Sequence, residues 1–282
     1  MSIIINVEEL LEKNRNNENH FAIIDVRTKS AQFDSGYEAY KDSHLPEAVF
    51  LDFKTDLSGE ESFLPHVETL AKKLGDLGID NECPIILYDQ GNHRFASKAW
   101  FVLSYLGHDK VYILNGGIKS WLDAGHKLTS NIPNFTSVTY QARPREDLIV
   151  EINQVKEGME RNDSSLIDSR AHDRYIGKSE PKYKRAGHIP GALNYHSKLI
   201  FNERGTWKTQ EELKNHFKRL PMNEEIMVSC GSGNSACMNL VALKQAGFEN
   251  VKLFPGGFSE WIEDDSNEVV TEKHEKLNQK EN

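Results

Sequence analysis

The sequence predicts an α/β fold that occurs twice, each copy a mainly parallel sheet flanked by helices. Three observations carry that expectation. Short apolar runs alternate with longer segments of helical apolar spacing. Five landmarks recur in the same order at an offset of about 140 residues, Gly117 against Gly257 for example, a period too long for a solenoid. In the second copy an apolar run leads into a loop of small residues that opens a helix, which is where parallel sheets place their chemistry.

The first landmark is a short strand ending in Asp-x-Arg, at Ala22 to Arg27 and again at Ser165 to Arg170. The second is a His-x-Pro-x-Ala turn, His44 to Ala48 and His188 to Ala192. The third is an apolar strand, Ile85 to Tyr88 and Ile226 to Ser229. The fourth is a helix from about Ala96 to Leu106, matched by Ala236 to Ala246. Gly107 and Gly247 follow these helices, as glycine does at helix ends. The fifth joins a strand to a double glycine and a tryptophan, Val111 to Trp121 and Val251 to Trp261. The expected division is therefore a first domain at 1–125, a polar linker at 126–148, a second domain at 149–265 and a charged tail at 266–282. The tail's composition suits a short helix or an unordered end.

A length of 282 residues suits about two domains. The net charge of −9 argues against nucleic acid and against acidic membranes as partners. No apolar run approaches the roughly 20 residues that span a bilayer. The N-terminus lacks the basic and long apolar regions of a signal peptide. Three widely spaced cysteines make no disulfide framework, which places the expectation in a reducing cytoplasm. No metal-ligand spacing is present, and nothing calls for a cofactor.

The loop that organises the chemistry is Cys230-Gly231-Ser232-Gly233-Asn234-Ser235-Ala236. Small residues let successive amides turn toward one point, and with the helix dipole they favour negative charge there. A thiol in that position is expected to ionise readily and act as a nucleophile. The alternative is a buried structural cysteine, which does not need a Gly-x-Gly loop. Copy one carries Asp89 at the matching place, in a loop one residue longer, Asp89 to Phe95 before the shared alanine. A carboxylate is no thiolate nucleophile, so only the second copy is expected to be catalytic.

These features resemble the tandem-domain rhodanese-type sulfurtransferases, over Ile3 to Trp261. Phe254-Pro255-Gly256-Gly257-Phe258-x-Glu260-Trp261 is similar to the family's C-terminal signature, and Gly187-His188-Ile189-Pro190-Gly191-Ala192 to its other hallmark. An inactive first copy with Asp at the cysteine position is also the family's pattern. Within it, Cys-Gly-Ser-Gly resembles the 3-mercaptopyruvate sulfurtransferases. The thiosulfate enzymes usually carry basic residues after the cysteine. Asn234 departs from the pattern, which has an apolar residue there.

The resemblance implies transfer of sulfur from a small anionic donor through a persulfide on Cys230. The acceptor would be a thiol, cyanide or a reduced thioredoxin. The loop Gly231, Ser232, Gly233, Asn234, Ser235 and Ala236 would cradle the persulfide. Ser232 would assist the leaving enolate. Arg174 matches the family's substrate-binding arginine. Lys182, in Glu180-Pro181-Lys182, takes the place of the second arginine, and Arg185 is the alternative for that role. His44 and Asp34 match a histidine and aspartate thought to support the serine. His44, like His188, could equally only brace its own domain. A cysteine phosphatase of the same fold would need an arginine six positions after the cysteine, and position 236 is alanine.

Overall fold

The computed structural model describes residues 2–15, 21–60, 62–161 and 163–271. The chain divides into two compact units. Unit 1 comprises Met1–Glu146 and Phe201–Trp207; unit 2 comprises Asp147–Ile200 and Lys208–Asn282.

In unit 1, strands β1 (Ile4–Ile5), β2 (Ala22–Asp25), β3 (Ala48–Phe50), β4 (Ile85–Tyr88) and β5 (Val111–Leu114) form one sheet in the order β1-β5-β4-β2-β3. Every strand pair in it is parallel. All four residues of β4 are buried, as a strand covered on both faces requires. Helices α1 (Val7–Arg15), α2 (Gly36–Asp42), α3 (Val67–Asp76), α4 (Arg94–Tyr105) and α5 (Gly117–Asp123) connect the strands. Ser35 starts α2 with a capping box closed by Glu38.

Unit 2 repeats the plan with fewer residues in strands. Helix α6 (Ile152–Arg161) precedes β6 (Ser164–Asp168); then come α7 (His172–Tyr175), β7 (Leu193–Asn194), α8 (Gln210–His216), β8 (Glu225–Ser229), α9 (Ala236–Ala246), β9 (Val251–Leu253) and α10 (Gly257–Trp261). The sheet order is β7-β6-β8-β9, again all parallel. The partner of β1 shrinks here to a single bridge, Ile149 beside Leu253. Helix α9 buries nearly its whole circumference. That is why its sequence is apolar without a polar face.

Two expected boundaries shift. The polar stretch after Gly125 does not begin as a linker. Thr129 pairs with His44 in both directions, at 2.8 and 2.9 Å, and Trp121 Nε1 donates to the Lys127 carbonyl at 3.0 Å. The start of the charged tail is likewise folded. Val270 pairs with His188 at 3.0 and 3.1 Å, and Trp261 Nε1 donates to Glu268 at 2.8 Å. Val269 packs on the unit 2 core. In each unit a short segment after the tryptophan thus returns to pair beside that unit's own histidine turn. Residues 272–282 of the expected tail lie outside the described residues.

The third difference is Phe201–Trp207, which groups with unit 1 although its sequence lies inside copy two. It is a hairpin closed by a Phe201–Trp207 bridge. The Trp207 amide donates to Asn115 Oδ1 at 3.0 Å, and the His93 ring stacks on Phe201 with centroids 5.1 Å apart.

Candidate active site

Cys230 directly follows β8, and α9 begins six residues later. The thiol is 4 % exposed. The backbone N–H groups of Ser232, Ser235 and Ala236 favour the charged form of this thiol, although the Ala236 N–H itself donates to the Gly233 carbonyl at 3.1 Å. The loop is also pinned from behind by α10. Phe258 N–H donates to the Cys230 carbonyl at 2.8 Å and Ser259 N–H to that of Gly231 at 2.9 Å. This approach requires glycine at 257. Its φ is +57°, and a Cβ there would lie 2.6 Å from the Cys230 oxygen. The Pro-Gly-Gly-Phe motif therefore positions the backbone of Cys230.

The resting thiol does not ionise as readily as the loop alone suggests. Burial pushes Cys230 above the ordinary thiol value, and the Asp168 carboxylate adds to that rise. The three loop amides pull in the opposite direction without overcoming burial. The loop amides thus face a thiol that burial keeps protonated at rest.

The matching loop of unit 1 holds its own anion. Asp89 Oδ1 accepts from the amides of Gly91 at 2.8 Å and His93 at 3.1 Å. Its Oδ2 accepts from Phe95 at 3.2 Å and Ala96 at 3.3 Å. Asp89 is fully buried. A helix N-terminus and its amide ring are satisfied internally there.

Among the expected cations, Arg174 lies nearest the loop by its contacts. Its Nη2 donates to Glu180 Oε1 at 2.7 Å and Oε2 at 2.9 Å, and its Nε to Oε2 at 3.1 Å. Glu180 also meets Arg170 at 3.4 Å, and Arg170 pairs with Asp168 at 2.6 Å. The Arg174 guanidinium sits 5.5 Å from the Tyr183 ring centre. Tyr183 in turn covers Gly231: a Cβ there would meet the tyrosine hydroxyl at 2.6 Å. The Lys182 side chain is exposed, and its amide donates to Glu180 at 3.0 Å. Arg185 is committed elsewhere, to the carbonyls of Asp264 at 3.3 Å and Asn267 at 2.6 Å.

In the loop itself, Ser232 is exposed and Gly233 buried. Asn234 Oδ1 is buried without a hydrogen-bond partner. Tyr183 and Glu180 were not singled out by sequence. The signal available was one aromatic residue in the charged run between Pro181 and Gly187.

His44 and His188 have the same surroundings in their own units. His44 Nδ1 lies 2.6 Å from the Tyr40 carbonyl, and the two rings stack at 4.1 Å. His188 Nδ1 lies 2.8 Å from the Tyr175 carbonyl, and those rings stack at 3.7 Å. His44 Nε2 also faces the Asn131 carbonyl at 3.2 Å. This repeated environment favours bracing for both histidines. Asp34 is 93 % exposed in its side chain and lies 3.7 Å from Lys29.

A family model described as a rhodanese-like domain matches residues 6–124 and again 151–264. The chain belongs to the rhodanese family. Its relatives are tandem sulfurtransferases. A probable 3-mercaptopyruvate sulfurtransferase of Pseudomonas aeruginosa is 34 % identical over 260 residues, covering 88 % of this chain and 92 % of the relative. A thiosulfate sulfurtransferase of Cricetulus griseus is 31 % identical, covering 79 % of this chain and 78 % of the relative. The crystal structure of SseA from Escherichia coli superposes with a TM-score of 0.79 at 31 % identity, covering 92 % of this chain and 99 % of that one. The two rhodanese domains thus account for both sheets and for the repeated landmarks. Among the described residues, no helix is long and apolar enough to cross a membrane.

Proposed function

We propose that this rhodanese moves sulfur from 3-mercaptopyruvate through a persulfide on Cys230 to a thiol or cyanide acceptor. The observation that carries the reading is Cys230 placed directly after β8 in a small-residue loop that opens α9, with no cationic side chain between Gly231 and Ser235. Cys230, as thiolate, attacks the donor sulfur. A new S–S bond forms and the C–S bond breaks, its electrons leaving on the carbon fragment as an enolate. The enolate takes up the proton that Cys230 lost and becomes pyruvate. The amides of the loop from Gly231 to Ala236 then hold the persulfide until the acceptor removes its outer sulfur. Ser232, exposed beside the sulfur, is the neutral group for handling the proton.

Arg174 is the proposed grip on the donor carboxylate. Its Nε edge is taken by Glu180, while its Nη1 makes no hydrogen bond among the described residues. Lys182 and Arg185 supply further positive charge to the approach. His44, on this reading, braces unit 1 through the Tyr40 carbonyl and ring. A reduced thioredoxin is the proposed protein acceptor and the cytoplasm the proposed location, consistent with cysteines that form no disulfide among the described residues.

The second reading is a thiosulfate:cyanide sulfurtransferase, favoured by the similarity to the Cricetulus griseus enzyme. Steady-state rates with both donors separate the two. The proposal expects the higher kcat/KM with 3-mercaptopyruvate; a higher value with thiosulfate overturns it.

A further inference from the structure

Tyr183 is a side chain that lies against the cysteine loop and belongs to no motif of the family resemblance. Its hydroxyl lies where a side chain on Gly231 would begin, 2.6 Å from that Cβ position. Its ring packs against Phe258, with centroids 6.0 Å apart and planes 62° apart. Phe258 N–H in turn donates to the Cys230 carbonyl. The Tyr183 ring also meets the Arg174 guanidinium at 5.5 Å, a guanidinium already clamped by buried Glu180. Among the described residues the Tyr183 hydroxyl has no hydrogen-bond partner. A half-buried phenol packed by Phe258 and Arg174, with its donor unused and set against the Cys230 loop, is placed to serve a ligand.

The order of groups says which part of the ligand. Along the structure the sequence of contacts is Arg174, then Tyr183, then Gly231 beside Cys230. Along 3-mercaptopyruvate the order is carboxylate, keto group, sulfur. With the carboxylate at Arg174 and the sulfur at Cys230, the keto oxygen falls to the tyrosine between them. We propose that Tyr183 is a catalytic residue of the donor half-reaction, its O–H donating a hydrogen bond to the keto oxygen. This rests on the donor assignment above. When Cys230 takes the sulfur, the C–S electron pair moves into the carbon fragment and negative charge collects on that oxygen. The hydrogen bond strengthens as the charge builds, so it lowers the barrier more than it tightens donor binding. The phenol keeps its proton throughout. The proton that quenches the enolate carbon is the one given up by Cys230.

Thiosulfate supplies the internal control, because its leaving group is sulfite and no enolate forms. The experiment compares wild type with Tyr183→Phe, using both donors and one acceptor. The expected result is a fall of about tenfold or more in kcat for 3-mercaptopyruvate relative to kcat for thiosulfate, with the KM for 3-mercaptopyruvate changed much less. A ratio that stays within twofold overturns the proposal, as does an equal fall with both donors, which marks a merely structural ring. Tyr183→Ala, measured beside it, must shift the ratio at least as far. A wild-type chain that does not turn over 3-mercaptopyruvate sinks the donor assignment, and this role of Tyr183 with it. Normal turnover by wild type with an unshifted ratio sinks the tyrosine alone.

Discussion

The loop after β4 and the loop after β8 are two answers to one structural problem. Both follow a buried parallel strand, both open a helix, and both are gripped from behind by a double glycine. In unit 1, Ile118 N–H donates to the Asp89 carbonyl at 3.0 Å, and in unit 2, Phe258 N–H donates to that of Cys230 at 2.8 Å. Both present a ring of amides that favours an anion. Unit 1 fills the ring with its own carboxylate on four amides. Its His93 is stacked under the Phe201–Trp207 hairpin. Unit 2 leaves the ring with a neutral buried thiol and an exposed serine beside it. The difference teaches that the cradle belongs to the fold, whereas the chemistry depends on what occupies its centre. Four hydrogen bonds to its own side chain make the unit 1 loop a structural clasp. In unit 2 the same backbone carries the thiol proposed above to take the sulfur.

The largest effect that sharpens this contrast is on stability. Asp89→Ala strips a buried side-chain acceptor from four loop amides and should cost about 2–3 kcal/mol. Cys230→Ala removes only a weak acceptor and should cost about 1 kcal/mol. Denaturant melts of the two variants check the order. Equal losses would mean that Asp89 is not a clasp.

The glycine pair comes next. A Cβ at Gly117 would meet the Asp89 oxygen at 2.3 Å, and one at Gly257 the Cys230 oxygen at 2.6 Å; both residues have positive φ, +59° and +57°. Gly117→Ala and Gly257→Ala should each destabilise by about 2 kcal/mol. Only Gly257→Ala should also lower turnover per folded molecule, because only its clash displaces the proposed nucleophile, Cys230. Thermal melts alongside steady-state rates read both quantities.

The smallest effect concerns pH. Burial raises the Cys230 thiol, so its thiolate fraction, and with it the rate of alkylation, should climb with pH through a range above that of an ordinary thiol. Peptide mass mapping of iodoacetamide labelling at Cys230 follows this profile. A midpoint at or below that of free cysteine in the same buffer would show that the amides outweigh burial.

Much of this was legible in the sequence, because it rests on local periodicity and on repetition. The strands at Ile85 and Val111 and the helix at Ala236 fell where their apolar runs begin and end. The Asp89 and Cys230 contrast came from aligning the copies. What the sequence hid were contacts made by polar or irregular segments. The return segments at Thr129 and Val270 carry no periodicity, since one backbone bridge holds each. Their recurrence at the shared offset was the signal available, Leu128-Thr129 against Val269-Val270. The Phe201–Trp207 hairpin interrupts copy two with contacts that no spacing encodes. Tyr183 sat unnoticed among lysines because its partners, Gly231 and Phe258, are distant in the chain. Ionisation of Cys230 was misjudged for a related reason. Local loop chemistry argues for a low thiol, whereas burial, which opposes it, is a property of the whole unit.

The central claim is that Cys230 alone carries the transferred sulfur. The direct measurement is intact mass after incubation with 3-mercaptopyruvate and no acceptor, for wild type and for Cys230→Ser. Wild type should gain one sulfur atom, map it to Cys230 and lose it on addition of cyanide, while Cys230→Ser gains none. A Cys230→Ser chain that still gains a sulfur, or a wild-type sulfur mapped to Cys83 or Cys237, would contradict the account.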